Sequence, residues 1–297
     1  MNFVLNIYMK RLFLIILPLF LLGIFCANAQ TVSNVHSTFS CPGEVTITYD
    51  LNTPAPVGIT VYYSTDNGQT YHPCATVSGN LRNQSTGSGK NVIWDLKADG
   101  FRTGFFVFKV EPECVMINGL CWATRNVDKP GTFVDNPEDA GMFYQWNRNI
   151  GWSATDPMIN SNGGTVWDES YPTGTTWEKA NDPCPSGWRV PTLDEYKKLL
   201  DREKVSYGFS NEKDIIGLRC TDKASGKSIF LPAAGFRSIT NGKLYYVGDE
   251  GNYWSSTQDV YVNYYAYIIS FEMDGPYPVY WHDYFRSYGN CVRCVAD

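Results

Sequence analysis

Cys291-Val292-Arg293-Cys294 has the Cys-x-x-Cys spacing of dithiol redox sites. Redox chemistry there needs the first thiol at a helix N-terminus, where its pKa falls. The surrounding GNCVRCVAD (289–297) reads as a terminal strand, so structural disulfides are expected instead. Zinc would need a second ligand pair that a lone Cys-x-x-Cys lacks. Asn160, Asn162, Gly163 and Glu169 fall at positions three, five, six and twelve of an EF-hand-like loop. Met158 stands where the first acidic ligand belongs, and no helical pattern flanks the loop. A polar surface loop is expected there, and calcium is the only cofactor brought into question. Gly87-Ser88-Gly89-Lys90 lacks the first glycine of a phosphate loop and reads as a turn between strands. The chain has no His-Glu-x-x-His, no Gly-x-Ser-x-Gly, and no single cysteine with an evident histidine partner. Glycosidase carboxylate pairs are spatial and leave no spacing to read. No catalytic or metal-binding residue is assigned.

The binding candidate is GPYPVYWHDYFRSYG (275–289), where Tyr277, Tyr280, Trp281, His282, Tyr284 and Phe285 crowd a Pro/Gly-punctuated stretch. Exposed rings beside polar groups stack on sugar faces and form protein hot spots. The competing reading turns half of them inward to complete the core.

The elements that must position these residues are mostly strands. VTITYDL (45–51) and GITVYYST (58–65) alternate apolar and polar residues, and Asp66-Asn67-Gly68 is a hairpin turn needing positive φ. With NVIWDL (91–96) and FFVFKV (105–110) they predict a small immunoglobulin-like sandwich over residues 30–112. Past Glu111-Pro112-Glu113 the composition turns to Trp, Gly, Asn and Pro, and residues 113–297 form a second domain. Nothing from Ser153 to Thr176 is periodic, as in a loop that is functional or tied down by side chains. YYVGDEGNYWSST (245–257) and YYAYIISF (264–271) read as strands. CPSGWRVPTLDEYKKLL (184–200) breaks the β pattern. Thr192 and Glu195 form a capping box, and Leu193, Tyr196, Leu199 and Leu200 repeat at helical spacing. A second box, Thr175 to Glu178, predicts another short helix.

The chain has 297 residues and opens on a secretory-signal pattern: Lys10-Arg11, the apolar run Leu12–Phe25, then Ala27-Asn28-Ala29. That run is short for a membrane span, so residues 1–29 are expected to be cleaved and the protein secreted or surface-exposed. The remainder carries 22 Lys+Arg against 30 Asp+Glu, which disfavours nucleic acid or anionic lipid as partners. Eight of the nine cysteines follow residue 29, an even number that favours disulfides but allows 105 pairings. Cys41 and Cys74 are the only two in the first domain and form its natural pair.

Six ordered motifs, CWATRNV, FYQWNR, DPCPSGWRVPTLDEY, FLPAAGFR, NYWSST and VRCV, give the second half its character. In them the stretch from Met116 to Asp297 resembles the Fibrobacter succinogenes major paralogous domain, a family of exported bacterial modules. The first domain is similar to the sandwich that precedes lectin-like modules in exported Bacteroidetes-type proteins. The resemblance implies a C-type-lectin-like fold in which N- and C-terminal strands meet below a long loop region. It implies a Cys184–Cys294 disulfide, then Cys220–Cys291 and Cys114–Cys121. It implies no enzymatic activity. Trp281-His282-Asp283 echoes the Trp-Asn-Asp element of sugar-binding C-type lectins, but the partner Glu-Pro-Asn or Gln-Pro-Asp triplet is absent, so no calcium–sugar site is carried over. The expectation is a non-catalytic surface adhesin: a spacer carrying a lectin-like module that binds a glycan or a surface protein. The alternatives are a formylglycine-generating or glycan-processing enzyme, and a structural fimbria or envelope subunit.

Overall fold

A computed structural model describes residues 30–40, 43–53, 56–82, 84–273 and 278–297. The expected signal segment, Cys41 and Tyr277 lie outside the described residues. The architecture is mostly antiparallel β-structure with one short α-helix among the described residues.

The first unit holds β1 (Thr31–Ser40), β2 (Glu44–Asn52), β3 (Ile59–Ser64), β4 (His72–Pro73), β5 (Val77–Gly79), β6 (Gly87–Asp95) and β7 (Val107–Pro112). They form two sheets, ordered β1-β2-β6-β5 and β4-β3-β7. Alternation along β2 buries Val45, Ile47, Tyr49 and Leu51 on one face, as the period of two requires. Trp94 of β6 fills the space between the sheets, 5.1 Å from the rings of Tyr63 and Phe106 and 5.6 Å from Phe101. Its indole N–H donates to Asp99, which also accepts from the Ala75 and Thr76 N–H groups. The Asp66 turn forms as expected, with Asn67 and Gly68 at φ 61° and 86°. Residues 87–90, expected as a turn, are instead the start of β6. Gly89 at φ 64° sits in a bulge there and donates its N–H to Asp50.

Only Glu113 separates β7 from β8 (Cys114–Ile117), which pairs with β9 (Leu120–Ala123) across an Asn118-Gly119 turn. No linker intervenes. The Glu113 N–H donates to the Gly58 carbonyl at 2.9 Å, Arg125 reaches Thr60 at 3.2 Å, and one buried cluster includes Val45, Cys114 and Trp254.

The remaining elements are β10 (Phe143–Tyr144), β11 (Gly151–Trp152), β12 (Trp188–Arg189), α1 (Leu193–Leu199), β13 (Val205–Glu212), β14 (Ile215–Asp222), β15 (Ser228–Pro232), β16 (Phe236–Arg237), β17 (Leu244–Tyr245), β18 (Glu250–Gln258), β19 (Tyr265–Glu272), β20 (Val279–Phe285) and β21 (Val295–Ala296). The last strand inserts between β12 and β9, with Val295 opposite Arg189 and Trp122. Cys294 just before it bonds to Cys184, the two Cα atoms 6.1 Å apart, and Cys114–Cys121 bridges the β8–β9 hairpin. Chain end and helix entry are thus fastened together.

Cys220 and Cys291 are not bonded, contrary to the expected pairing. Both are buried free thiols, and the Cys291 thiol points at the Ala140 carbonyl, 3.7 Å away. Burial pushes each up to about 12, with the Arg293 charge acting against it, so neither is reactive at neutral pH. Cys74 is likewise buried, and burial raises it to about 12.

The helix begins at the expected cap. Thr192 accepts the Glu195 N–H at 3.3 Å, and Glu195 accepts the Thr192 N–H at 2.8 Å. Arg189 holds the same carboxylate through two nitrogens at 2.8 and 2.6 Å. Leu193, Tyr196 and Leu199 turn inward. Thr192→Ala is expected to cost about 1 kcal/mol in urea unfolding; an unchanged midpoint would show the cap to be idle. Burial alone would raise the Glu195 pKa, but its Arg189 and Thr192 partners outweigh it and hold the group low. That contribution is complete above the ordinary carboxylate pKa and fades as pH falls through the lowered one.

The second expected helix does not form. Residues Lys179–Asn181 make a single 3-10 turn, and Glu178 at its start lacks a side-chain cap bond. Asn147 takes the Glu178 N–H at 2.8 Å, and Trp177 packs on Trp146 at 5.6 Å, so tertiary partners replace the local cap.

The aperiodic region 153–176 is tied down by side chains. Arg237, fully buried, donates to the carbonyls of Ser153 and Thr155 at 2.9 Å and of Gly242 at 2.6 Å. Arg286, 4.2 Å from the centre of the Trp146 ring, reaches the Gly174 carbonyl at 2.8 Å. Among the described residues no helix is long and apolar enough to cross a membrane.

Candidate functional site

β20 is the outer strand of the three-stranded sheet β18-β19-β20. Its register sets Tyr280 opposite Ser270, His282 opposite Ile268 and Tyr284 opposite Ala266. Opposed residues share a face, so these three rings project from the side that also carries Glu250, Asn252 and Glu272. Trp281 and Asp283 take the other face. The six residues expected to act together are therefore divided, with Phe285 on the same face as Trp281. Tyr280, His282 and Tyr284 stand in one row, Trp281 points away and is 49 % exposed, and Tyr277 is outside the described residues. The same period of two prevents Trp281-His282-Asp283 from converging on one ligand.

The row is continuous. His282 lies 5.2 Å from Tyr280 and 5.3 Å from Tyr284, and Tyr284 stacks on Tyr288 at 4.1 Å. Tyr288 meets Phe236 at 5.3 Å, and Phe236 meets Tyr246 at 5.7 Å and Tyr245 at 6.0 Å. Phe236, Tyr245 and Tyr246 were not legible as site residues, because they come from other segments, and Tyr288, though within 275–289, carried no signal of its own. YYVGDEGNYWSST is not one strand but two pieces, β17 ending at Tyr245 and β18 starting at Glu250. Tyr246 sits between them at φ 55°, a conformation unfavourable for a bulky side chain. The Asp249 and Glu250 N–H groups both donate to its carbonyl, at 3.1 and 3.0 Å, and leave the ring 54 % exposed. Gly235 at φ 73° admits this turn, since a Cβ there would collide with the Tyr245 carbonyl.

Hydrogen-bond acceptors gather at one end. Glu250 and Glu272 are cross-strand partners, and the Tyr280 hydroxyl donates to Glu272. Burial raises the Glu250 pKa, and the charges of Glu272 and Asp249 add to it, against one bond from Asn252 at 3.3 Å. Burial, with the Glu272 bond, pushes Tyr280 up to about 12. Burial lowers the pKa of His282, favouring a neutral ring. Its Nδ1 lies 2.9 Å from the Asp283 carbonyl, which can only accept, so the neutral ring carries its proton there and presents a bare Nε2. The whole is a set of ring faces bordered by carboxylate and imidazole acceptors. It suits a ligand rich in hydroxyl or amine donors.

Other expected features resolve structurally. Asn160 of the EF-hand-like loop accepts the N–H groups of Asn162 and Gly164 at 2.9 and 2.8 Å, closing a turn. Among the described residues no group of three His, Cys, Asp or Glu side chains is placed to hold a metal. A cleft of about 870 Å³ opens between the two units, lined in part by Tyr62, Tyr71, Lys109, Glu212 and Arg219. Of its charged residues, Lys109 pairs with Glu111 at 3.2 Å and lies over both tyrosine rings at 4.8 Å, and Arg219 pairs with Glu212.

Residues 208–295 match a family described as a domain of unknown function (DUF8237), a stretch that spans every ring of the row and both of its carboxylates. No curated protein matches the chain, and no solved structure matches it.

Proposed function

We propose that this chain is an exported, non-catalytic recognition protein that binds a glycan along the aromatic row of β20. The reading takes the first unit as an immunoglobulin-like spacer and the second as a C-type-lectin-like module akin to the Fibrobacter succinogenes major paralogous domain. The carrying observation is the row itself, six tyrosine and phenylalanine rings and one imidazole in unbroken contact, with Tyr245 and Tyr246 well exposed and Tyr280 and Tyr284 partly so. Rings of this kind bury large area at low entropy cost and stack on the apolar faces of sugars. Two disulfides, one of them fastening the chain end, fit an oxidising compartment.

A glycan array probed with the purified chain tests the proposal. Tyr246→Ala and Tyr280→Ala are each expected to weaken retention about tenfold, the loss of roughly 1.4 kcal/mol of stacking. Trp281→Ala, on the opposite face, serves as the control and should bind as wild type. Retention of no glycan, or equal retention by all three variants, would remove the basis for this reading. Selective capture by a protein ligand through the same rings would replace glycan with protein as the partner.

A further inference from the structure

We infer that the carboxylate end of the aromatic row selects a sugar carrying a free, protonated amine: an amino-sugar polymer rather than a neutral or acidic one. The inference rests on the glycan reading above and narrows it. Glu250 and Glu272 face each other across β18 and β19, and Asp249 adjoins them. Among the described residues no lysine, arginine or histidine forms an ion pair with any of the three. Their satisfied contacts are neutral donors, the Asn252 amide and the Tyr280 hydroxyl. Three acidic groups without a cation, two of them partly buried, leave a negative potential that a bound ammonium would neutralise. The rings beside them favour the same charge, because a cation is attracted to an aromatic face. Lys243 already shows this, its ammonium 5.4 Å from the centre of the Tyr245 ring.

The shape of the row selects between cationic ligands. A single lysine side chain is best held in a closed cage. Here Tyr280, His282 and Tyr284 recur at every second residue of one strand, their ring centres 5.2 and 5.3 Å apart. That linear, partly exposed row suits a chain of sugar rings, each offering a face to stack and a substituent to reach the carboxylates.

Isothermal titration with glucosamine hexamer, N-acetylglucosamine hexamer and cellohexaose separates the possibilities. The glucosamine hexamer is expected to bind at least about tenfold tighter than the other two, with the advantage shrinking as salt rises to about 0.5 M. The near-isosteric double variant Glu250→Gln/Glu272→Gln should erase that advantage and leave cellohexaose binding as it was. Asp249→Asn, at an exposed position, should reduce it in part and provides the same readout if the double variant does not fold. Equal binding of the three hexamers, lost on Tyr246→Ala, would overturn the amine selection while leaving the glycan reading in place. Failure of all three hexamers, with no glycan retained on the array, would overturn both. Preference for a lysine-rich peptide over the glucosamine hexamer would also overturn it.

Discussion

Replacing Cys184 and Cys294 together by alanine is expected to destabilise the chain by about 4–5 kcal/mol. The two residues are 110 apart in sequence, so their bond removes a large closure entropy from the unfolded ensemble. Cys114–Cys121 closes only seven residues, and its removal should cost roughly 2 kcal/mol on the same relation. The loss should appear as a fall in Tm of roughly 10 °C or more for the first pair and clearly less for the second. Equal shifts for the two would mean that loop length is not what the long bond contributes. The consequence reaches the aromatic row, because Gly289, Asn290 and Cys291 lie between β20 and Cys294. Asn290 pairs with Tyr144, and Gly289 with Arg237. Release of the chain end would loosen the segment that holds Tyr288 against Phe236.

Arg293→Met is the second large effect, expected at about 3–5 kcal/mol in denaturant unfolding with an unchanged slope. The guanidinium is fully buried and donates to the Ala123 carbonyl at 3.0 Å, the Asn126 side chain at 2.9 Å and the Phe230 carbonyl at 2.9 Å. No carboxylate pairs with it among the described residues. Burial lowers its pKa, opposed by the neighbouring phenols and thiols of Tyr253, Tyr196, Cys291 and Cys220. Its value to the fold therefore lies in geometry, one planar fork that joins β9, β15 and the chain end. Methionine fills similar volume and orphans three buried acceptors. Arg293→Lys keeps the charge but cannot span all three, so it should recover only part of the loss. A methionine variant within about 0.5 kcal/mol of wild type would show that the fork does not organise the core.

Cys-x-x-Cys 291–294 carries the lesson of these two residues together. Four consecutive positions hold an inert thiol, a buried valine, a cationic fork and a disulfide. Spacing alone offered redox or zinc chemistry, and burial decided against a reactive thiol.

Local patterns proved sufficient wherever the interaction itself was local. The Thr192–Glu195 cap, the alternation of β2 and the positive-φ Asn67-Gly68 turn each depend on neighbours within a few residues. The β13–β14 hairpin escaped notice because its turn is Lys213-Asp214, both at positive φ without the usual glycine. The Thr175–Glu178 box misled for the converse reason: Asn147 and Trp146, distant in sequence, outcompeted a cap worth about 1 kcal/mol.

For the site, composition marked 275–289 as aromatic, and the strand period implied that neighbouring rings must part. Which rings stay together was decided in three dimensions. The β18–β19–β20 register put Tyr280, His282 and Tyr284 beside Glu250 and Glu272, and β17 with the turn after it delivered Tyr245 and Tyr246 from some 35 residues away. Sequence by itself determined the repertoire: strands, one capped helix, many tyrosines and an excess of acid. Tertiary structure alone decided that acid and rings meet, because cross-strand neighbours and buried arginine forks are set by pairing between distant segments, which residue order does not encode locally.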